Sequence, residues 1–544
     1  MTWTAHADTF ARDNLPPLEQ QPEYLFDLPE LQYAEHLNCA NELLDHAISK
    51  GWGSRIVLRA EGVSWTYDEL LERANRIAHV LITDFKLEAG NRVLLHSFNN
   101  PMMVACWFGI VKAGGIVVAT MPLLRAKELT DVIGKAQISH ALCDSRLSAE
   151  LEMAKPNCQS LEHVCLFSSD AGDGLEQRMN SKPSSFETVD THRDDVVLIA
   201  FTSGTTGKPK GCMVFHRDVL AICDTFAKHI LRASSEDVFT GSPPLAFTFG
   251  LGGIVLFPMR IGASSVLLER AAPDLMLPAI TNFRASVVFT SPTAYRAMAA
   301  HAKDHDLLSL RKCVSAGEFL PAATRTLWRE TTGIELIDGI GATEMLHIFI
   351  SADETNVRAG ATGKPVPGFQ ACVIDENGKP LPAGQVGRLA VKGPTGCRYL
   401  ADDRQLNYVQ NGWNLTGDAY LIDDDGYFFY QARTDDMIVS SGYNIAGPEV
   451  EAALLRHPSI AECAVVGVPN AERGQIVKAF VVLNPDILAS SELVKELQDF
   501  VKQTIAPYKY PRAIEFREGL PKTQTGKLQR FHLRQEAITA QGSK

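Results

Sequence analysis

The sequence predicts an α/β protein with a large N-terminal part of α/β subdomains, a β-rich subdomain and a small α+β C-terminal part. Three observations support this prediction. Apolar strand-like runs alternate with helix-period segments before about residue 360, short apolar runs separated by Gly and Pro follow, and a compact mixed pattern begins after residue 436. A chain of 544 residues is also too long for a single hydrophobic core.

Helices and strands alternate in the N-terminal part. Apolar residues recur at helical spacing over 68–84, "RVLLHS" (92–97) predicts a strand, and 102–114 predicts a helix. "GIVVATM" (115–121) predicts the next strand. The pattern recurs at 238–340, where strands lead into loops. Loops at the carboxyl ends of such strands are where α/β proteins bind ligands.

The β-rich part contains "DENGKP" (375–380), which predicts a tight turn. The C-terminal part combines a helix, two strands and a second helix, predicted at 447–458, 462–469, 478–483 and 491–504. We place the boundary near "QARTDDM" (431–437), which predicts domains 1–434 and 435–544.

The composition, 45% hydrophobic and 21% charged, is that of a soluble globular protein. The net charge of −12 argues against general nucleic-acid binding. The 11 cysteines are scattered without a C-x-x-C pair, which predicts reduced, mostly buried thiols in a cytoplasmic protein. The most apolar windows, 102–122 and 250–268, contain Lys112 and Arg260 and so predict buried segments rather than membrane spans.

The stretch "TSGTTGKPKG" (202–211) predicts a phosphate-binding loop, because backbone N–H groups in a glycine-rich loop approach anions closely and lysines add positive charge. An apolar strand (196–201) precedes it and a helical pattern (216–231) follows. The spacing excludes a P-loop NTPase, because Gly204 and Gly207 are too close and Pro209 replaces the magnesium-binding hydroxyl. The G-x-G-x-x-G dinucleotide pattern is absent here as well.

Four further motifs follow this loop: "GIGATE" (339–344), "TGD" (416–418), "ARTDDMIVSSGYNIAGPEVE" (432–451) and "PKTQTGK" (521–527). In this order the five motifs resemble those of the adenylate-forming superfamily, which includes acyl-CoA and aryl-CoA synthetases, peptide-synthetase adenylation domains and luciferases. The resemblance implies that a carboxylate attacks the α-phosphate of Mg-ATP, and that a thiol, usually that of coenzyme A, then displaces AMP. ATP, Mg²⁺ and coenzyme A are therefore expected.

The resemblance assigns ATP-binding positions. The β- and γ-phosphates would contact Thr202, Ser203, Gly204, Thr205, Thr206, Gly207 and Lys210. The adenine would lie against Gly317, Glu318, Phe319, Asp338, Gly339 and Ile340, and Gly341 would be a further nucleotide-binding position. Asp418 would accept hydrogen bonds from the ribose hydroxyls, and Arg433 would reinforce these contacts. Many relatives have an aromatic residue where this chain has Ile340, so a stacking ring is missing at that position.

The resemblance also assigns catalytic roles. Lys527 would bridge the substrate carboxylate and the α-phosphate, and Thr343 would contact the α-phosphate. Glu344 would hold magnesium, together with Thr205. Asp435 would be the hinge of a mobile C-terminal domain, whose rotation brings Ser441, Gly442 and Tyr443 to the pantetheine path. From local sequence alone, Glu344 and Lys527 are more typical of solvated surface groups, and Asp418 is equally typical of a turn aspartate.

Two stretches, 243–253 and 341–350, resemble those of benzoate-CoA and 2-aminobenzoate-CoA ligases, as does the N-terminal segment 14–33. This resemblance implies a short, flat pocket that admits one aryl ring, lined by Phe247, Thr248, Phe249, Gly250, Ala316 and His347. A lone histidine in an apolar run is otherwise more often a core residue. The hydroxyl of Thr248 suggests room for a polar ortho substituent.

The favoured function is an AMP-forming aryl-CoA ligase for benzoate or 2-aminobenzoate, without nucleic-acid or membrane partners and compatible with a homodimer. One alternative passes the aryl adenylate to a carrier protein's phosphopantetheine, and another is a CoA ligase for a different small carboxylic acid. A non-catalytic nucleotide-binding or partner-binding relative is a third alternative. The presence of Glu344, Asp418, Arg433 and Lys527 argues against it.

Overall fold

The computed structural model describes residues 3–169, 172–202, 209–434, 436–440, 443–470, 473–522 and 528–542. Within these ranges the chain forms four β-sheets, three before residue 434 and one after it. Strands and α-helices are numbered in chain order. The arrangement confirms the predicted α/β fold with a large N-terminal part and a smaller C-terminal domain. The exact boundary at Asp435 stays a prediction, because that residue lies outside the described ranges.

The largest sheet has nine strands in the order β15-β14-β13-β12-β11-β9-β10-β1-β2. Its strands are β1 (Ile56–Ala60), β2 (Val63–Thr66), β9 (Val238–Gly241), β10 (Ser264–Val266), β11 (Val287–Thr290), β12 (Lys312–Ala316), β13 (Leu336–Gly341), β14 (Ile348–Ser351) and β15 (Lys364–Pro365). From β1 to β13 all neighbours in the sheet are parallel. The carboxyl ends of β12 and β13 therefore lie side by side.

The second sheet has six strands in the order β6-β5-β3-β4-β7-β8. These are β3 (Arg92–His96), β4 (Ile116–Thr120), β5 (His140–Asp144), β6 (His163–Phe167), β7 (Val196–Thr202) and β8 (Lys210–Phe215). Every residue of β3, β4 and β5 is buried, as expected for parallel strands covered on both faces. Burial on both faces explains why their sequences are nearly continuous apolar runs.

Strand β8 was not predicted. The helical pattern predicted from residue 216 is present, since α8 begins at His216, but the strand between the phosphate loop and this helix was missed. Strand β8 pairs antiparallel with β7, from Val196 opposite Phe215 to Thr202 opposite Lys210. Burial of the apolar run 211–215 against the sheet core explains this hairpin.

The third sheet is antiparallel and β-rich as predicted, with β20 paired to β19 beside the order β16-β17-β19-β18. Its strands are β16 (Gln370–Ile374), β17 (Gly387–Lys392), β18 (Val409–Gln410), β19 (Trp413–Ile422) and β20 (Phe428–Arg433). The tight turn at 375–380 is confirmed: the N–H of Asp375 donates to the carbonyl of Lys379 at 2.9 Å, and Gly378 has φ +81°.

The fourth sheet has the order β22-β21-β24-β23, with β25 paired to β24. Its strands are β21 (Ile438–Ser440), β22 (Tyr443–Ile445), β23 (Ile460–Asn470), β24 (Gly474–Leu483) and β25 (Ala513–Phe516). The predicted helices on either side of β23 and β24 are present. This C-terminal part has its own apolar core, which includes Ile438, Val465 and Leu497.

Helices cover the parallel strands of the first two sheets. The α-helices of the described residues are α1 (Phe10–Asp13), α2 (His46–Ser49), α3 (Tyr67–His79), α4 (Pro101–Lys112), α5 (Ala126–Ala136), α6 (Ser148–Ala154), α7 (Leu175–Met179), α8 (His216–Ile222), α9 (Thr248–Gly250), α10 (Phe257–Ile261), α11 (Pro273–Phe283), α12 (Pro292–Ala299), α13 (Ala322–Thr332), α14 (Gln405–Tyr408), α15 (Gly447–Leu454), α16 (Ser491–Thr504) and α17 (Arg530–Gly542). Local sequence explains their starts: Thr66 and Glu69 form a capping box at α3, and the Asn100 side chain caps α4.

The cysteines and the apolar windows behave as predicted. All 11 cysteines are free thiols, and all but the half-buried Cys372 are buried. The windows 102–122 and 250–268 form buried helices and strands that include α4, β4, α10 and β10. Among the described residues, no helix is both long and apolar enough to cross a membrane.

Candidate active site

Two residues of the predicted phosphate loop lie in the described part of the chain. Thr202 ends β7 and Lys210 begins β8, and they face each other in the register of this hairpin. Both side chains are half-buried. Nine other predicted site residues lie outside the described ranges: Ser203, Gly204, Thr205, Thr206, Gly207, Asp435, Ser441, Gly442 and Lys527.

Lys210, the first residue of β8, is in direct contact with Glu344. Glu344 lies in a short 3₁₀ turn, Thr343–Met345, that directly follows the carboxyl end of β13. The Nζ of Lys210 lies 3.2 Å from Oε1 of Glu344. The fold thus brings a residue predicted to bind phosphate and a residue predicted to bind magnesium into direct contact.

A third residue, Tyr399, completes this contact and was not predicted. Its hydroxyl accepts a hydrogen bond from Lys210 Nζ at 2.6 Å and donates one to Oε1 of Glu344. The Lys210 ammonium also lies 4.6 Å from the centre of the Tyr399 ring. Burial, and secondarily the Glu344 carboxylate, raise the pKa of Tyr399 well above its ordinary value, so its hydroxyl stays protonated and can donate.

Tyr399 is held by backbone pairing to β8. Its neighbours make two hydrogen bonds of 2.8 Å with that strand, from Met213 N to the Arg398 carbonyl and from Leu400 N to the Gly211 carbonyl. The fully buried Arg398 guanidinium pairs with Asp218, with Nη1 2.6 Å from Oδ2. No motif spacing marks Tyr399, because pairing across a long sequence separation places it here.

The predicted ribose residues are neighbours on adjacent strands. Asp418 of β19 faces Arg433 of β20, and Nη1 of Arg433 lies 3.1 Å from Oδ1 of Asp418. Arg433 Nη1 also donates to the Thr416 carbonyl at 2.9 Å. Gly417, which lies between Thr416 and Asp418 in the chain, has φ +77°, and a β-carbon there would lie 2.5 Å from Arg433 Nη2. The backbone conformation therefore favours glycine at this position, and a β-carbon would have to displace the Arg433 guanidinium.

The two predicted adenine segments lie side by side, because Ala316 of β12 pairs with Gly339 of β13. Gly317 follows β12 with φ +90°. Glu318 accepts a hydrogen bond from the Thr293 hydroxyl at 2.7 Å. Burial raises the pKa of Asp338 to about 7.

An aromatic pair borders this region although position 340 carries isoleucine. Ile340 is half-buried and pairs with Ile350 of β14. The ring of Phe319 stacks on that of Tyr430 from β20, with centroids 5.7 Å apart and 27° between planes. Gly341 is the exposed last residue of β13. Tyr430 was not predicted, since strand pairing rather than a motif brings it beside Phe319.

The predicted aryl pocket residues cluster around the start of α9. Phe247 precedes this helix, Thr248 and Gly250 are buried, and Phe249 is half-buried. A β-carbon on Gly250 would lie 2.3 Å from the Pro244 carbonyl oxygen. The ring of Phe249 lies 5.6 Å from that of His347, so the structure brings together two distant parts of the predicted pocket. Ala316 is buried at the end of β12.

His347 is enclosed by aromatic rings. Its ring centroid lies 4.6 Å from Phe257, 5.6 Å from Phe226 and 6.3 Å from Phe289. Burial lowers the pKa of His347 to about 3, an effect that the backbone of Phe249 offsets only in part, so the imidazole is neutral. Among the described residues, neither ring nitrogen has a partner with normal hydrogen-bond geometry. This buried ring is a polar group that a ligand could satisfy.

The loop that leads into α9 is anchored by Asn99, which was not predicted. The Asn99 Oδ1 accepts from Leu245 N at 2.8 Å, and its Nδ2 donates to the Pro243 carbonyl at 3.1 Å. The side chain therefore pairs with this loop as a strand would. Asn99 follows β3 of the six-stranded sheet, so it links the loop before α9 to that sheet.

Tyr443 is the described member of the predicted pantetheine residues. It lies on β22 of the fourth sheet and is 55% exposed. Its ring stacks on Tyr508 with centroids 4.6 Å apart. This exposed aromatic pair lies on the C-terminal part, and its place on the pantetheine path stays a prediction.

The donors at Glu344 fit a magnesium ion bound with its substrate. Mg²⁺ commonly uses one or two protein carboxylates and completes its shell with waters and phosphate oxygens. In the described part of the chain, no group of three or more His, Cys, Asp or Glu side chains is arranged to hold a metal ion alone. Glu344 is a single carboxylate that pairs with Lys210 and accepts a hydrogen bond from Tyr399, so it fits a magnesium ion whose remaining ligands are waters and phosphate oxygens.

Comparisons with known proteins identify the family of this chain. A family model described as AMP-binding enzyme matches residues 45–399, and one described as AMP-binding enzyme C-terminal domain matches 449–527. The benzoate–CoA ligase of Thauera aromatica is 34% identical over 512 residues, which cover 93% of this chain and 97% of that protein. The mitochondrial acyl-coenzyme A synthetase ACSM3 of Mus musculus is 33% identical over 534 residues, covering 93% and 92%.

Among solved structures, the anthranilate CoA ligase AuaEII in complex with anthranoyl-AMP matches with a TM-score of 0.90 at 33% identity. The match covers 95% of this chain and 100% of that one. The family matches, the near-complete coverage by these ligases and the shared fold show that the chain belongs to the AMP-binding enzyme family and is an adenylate-forming acid–thiol ligase that uses ATP and coenzyme A.

Proposed function

We propose that this ligase activates a small aromatic carboxylic acid, benzoate or 2-aminobenzoate, and transfers the aryl group to coenzyme A. The contact between Phe249 and His347 is the observation that carries the proposal. It supports an acid site walled by ring faces, because flat aromatic walls suit one aryl ring. The similarity to a benzoate–CoA ligase and to an anthranilate CoA ligase supports the same substrate class.

The unpartnered nitrogens of His347 favour an acid with a polar ortho substituent. A neutral imidazole has one N–H donor and one acceptor nitrogen. A buried polar group without a partner is costly. An acid whose ortho amino group bonds to His347 would therefore be preferred over an acid with a hydrogen atom at that position. The buried Thr248 next to Phe249 adds a hydroxyl to the same region.

In the first half-reaction, an oxygen of the aryl carboxylate attacks the α-phosphorus of ATP. The bond from this phosphorus to the bridging oxygen breaks, and pyrophosphate leaves with the electron pair. Thr202 and Lys210 would bind the departing phosphates, while Asp418 and Arg433 would hold the ribose. Lys527 would stabilise the charge between carboxylate and α-phosphate. Magnesium bound at Glu344 would supply charge neutralisation of the phosphates.

In the second half-reaction, the sulfur of coenzyme A attacks the acyl carbon of the aryl adenylate. The bond from that carbon to the AMP oxygen breaks, and the thiol proton passes to solvent. We propose that the domain 435–544 rotates at Asp435 between the half-reactions. This motion would withdraw Lys527 and present the exposed face that carries Tyr443.

The test is coenzyme A-dependent release of AMP across an acid panel. The panel contains benzoate, 2-aminobenzoate, salicylate and medium-chain fatty acids, with saturating ATP and magnesium. We expect the highest kcat/KM for benzoate or 2-aminobenzoate. Preference for a fatty acid would contradict the aryl proposal.

Two alternatives have distinct outcomes in this assay. The similarity to an acyl-coenzyme A synthetase favours a non-aromatic small acid as the second candidate, which the fatty acids in the panel would reveal. Transfer to a carrier protein's phosphopantetheine would give carboxylate-dependent pyrophosphate exchange but no turnover with free coenzyme A. A cytoplasmic location is part of the proposal.

A further inference from the structure

Lys210 and Glu344 neutralise each other across 3.2 Å. Their side chains are only 20% and 9% exposed, so each charge would be poorly solvated without the other. The two groups nevertheless suit opposite ligands, since an ammonium binds phosphate oxygens and a carboxylate binds a divalent cation. Binding of ATP with its cation must therefore break this ion pair.

Tyr399 lies where it can hold the Glu344 carboxylate in place while the Lys210–Glu344 ion pair breaks. Its hydroxyl bonds to both charged groups at once, accepting from Lys210 and donating to Glu344. A hydroxyl combines one donor with acceptor lone pairs, so losing the lysine bond leaves the bond to Glu344 intact. The pairing of the neighbouring backbone with β8 and the buried Arg398–Asp218 ion pair fix the ring in place.

We propose that Tyr399 is a positioning residue that keeps the Glu344 carboxylate oriented for a divalent cation while Lys210 moves from Glu344 to a phosphate oxygen. The ion pair then opens fully only when both ligands arrive. ATP alone would leave Glu344 uncompensated, and the cation alone would leave Lys210 uncompensated. Cation and nucleotide phosphates consequently bind cooperatively at this site, beyond their association in solution. This inference rests on the family activity and not on the identity of the acid.

The variant Tyr399→Phe tests the proposal, because it keeps the ring and removes only the bridging hydroxyl. Calorimetric titration measures the Kd of ATP over a series of Mg²⁺ concentrations, and the Kd of AMP without Mg²⁺. We expect the Mg²⁺ concentration that gives half-maximal tightening of ATP to rise about tenfold, as for loss of a hydrogen bond to a charged group. Affinity for AMP should stay unchanged.

Tyr408→Phe is the matched control. The Tyr408 ring packs against Tyr399 with centroids 5.8 Å apart, and its buried hydroxyl has no hydrogen-bond partner among the described residues. Removing this hydroxyl should leave both binding measurements unchanged. An equal loss of ATP and AMP affinity in Tyr399→Phe, or an unchanged Mg²⁺ dependence, would overturn the proposal.

A double-variant cycle separates positioning from a general structural role. If Tyr399 acts through Glu344, adding Tyr399→Phe to Glu344→Gln should not weaken the Mg²⁺ dependence further. Additive effects of the two changes would contradict the proposal. The melting temperature without ligands, measured for every variant, shows that each one folds. If Tyr399→Phe does not fold, Glu344→Gln and Lys210→Met provide the test. Each of these variants should abolish the cooperativity between Mg²⁺ and ATP. Cooperativity that persists in either variant would contradict the proposed movement of Lys210 from Glu344 to a phosphate oxygen.

Discussion

The rings of Phe249 and His347 lie 5.6 Å apart, although one belongs to the start of α9 and the other follows the turn after β13. This contact joins the two stretches that resemble aryl-CoA ligases. It also encloses His347 so completely that its imidazole is neutral and its nitrogens lack partners in the described structure. Substrate selectivity is expected to depend on this ring.

His347→Phe should reduce discrimination in favour of 2-aminobenzoate. The variant keeps an aromatic ring but removes the donor and acceptor, so the ratio of kcat/KM for 2-aminobenzoate over benzoate should fall about tenfold. Benzoate turnover is the internal control, because benzoate has no substituent to bond. An unchanged ratio would show that His347 is only a core residue.

Gly417→Ala should weaken binding of AMP through Arg433. A β-carbon at this site would lie 2.5 Å from Arg433 Nη2 and displace the guanidinium from Asp418. We expect the Kd of AMP, measured by calorimetry, to rise about tenfold.

Gly426→Ala is the control for backbone strain. Gly426 also has positive φ, +81°, but a β-carbon there has nothing within 4 Å. Both variants should lose about 1 kcal/mol of stability from the left-handed backbone. Only Gly417→Ala should weaken AMP binding, and equal affinities would contradict the steric explanation.

Asn99→Asp should impair use of the acid without affecting nucleotide binding. The change replaces the amide that donates to the Pro243 carbonyl with a carboxylate oxygen, and so releases the loop before α9. We expect kcat/KM for the aryl acid to fall about tenfold, with the Kd of AMP unchanged. The control is Asn75→Asp on α3, where the amide donates to the Ser184 carbonyl at 2.8 Å. A similar loss of activity in both variants would point to general destabilisation.

Asp338→Asn should change the pH dependence of stability. Burial raises the pKa of Asp338 from 3.8 to about 7, so the folded protein holds this proton more tightly than the unfolded chain. Deprotonation between these values therefore costs folding free energy. The stability gained by Asp338→Asn should be absent near pH 4, grow up to about pH 7 and then level off. Urea unfolding over this range measures it, and a gain independent of pH would refute the assignment.

Asp375→Asn provides a control of opposite sign. Backbone hydrogen bonds, first from the N–H of Lys379, lower the pKa of Asp375. Its native carboxylate therefore stabilises the fold above its unfolded pKa, and this contribution is lost as the pH falls. The variant should be less stable than the wild type at neutral pH, and the difference should shrink in acid.

Lys527→Ala should block adenylation but largely spare thioester formation from a supplied aryl adenylate. The reason is that Lys527 is proposed to contact only the first transition state. Pyrophosphate exchange measures the first half-reaction, and consumption of synthetic aryl adenylate by coenzyme A measures the second. Equal losses in both would argue against the assigned role.

Local patterns were enough for most of the secondary structure. The predictions for α3, β3, α4 and β4 agree with the structure because the helical spacing or continuous run of their apolar residues reflects burial in the core. Strand β8 was not predicted because its short apolar run does not by itself indicate a strand. Its strand conformation depends on pairing with β7. The motifs likewise supplied Glu344, Asp418 and Arg433, while Tyr399, Asn99 and Tyr430 carry no local pattern.

The sequence by itself determined the α/β class, the AMP-binding family and the general chemistry, because these depend on periodicity and on motifs that each lie within a short stretch. Only the tertiary structure decided that Lys210 meets Glu344 through Tyr399, and that His347 is enclosed beside Phe249. These contacts join residues far apart in the chain. Their geometry follows from strand register and from packing between separate sheets, which no single stretch of sequence contains.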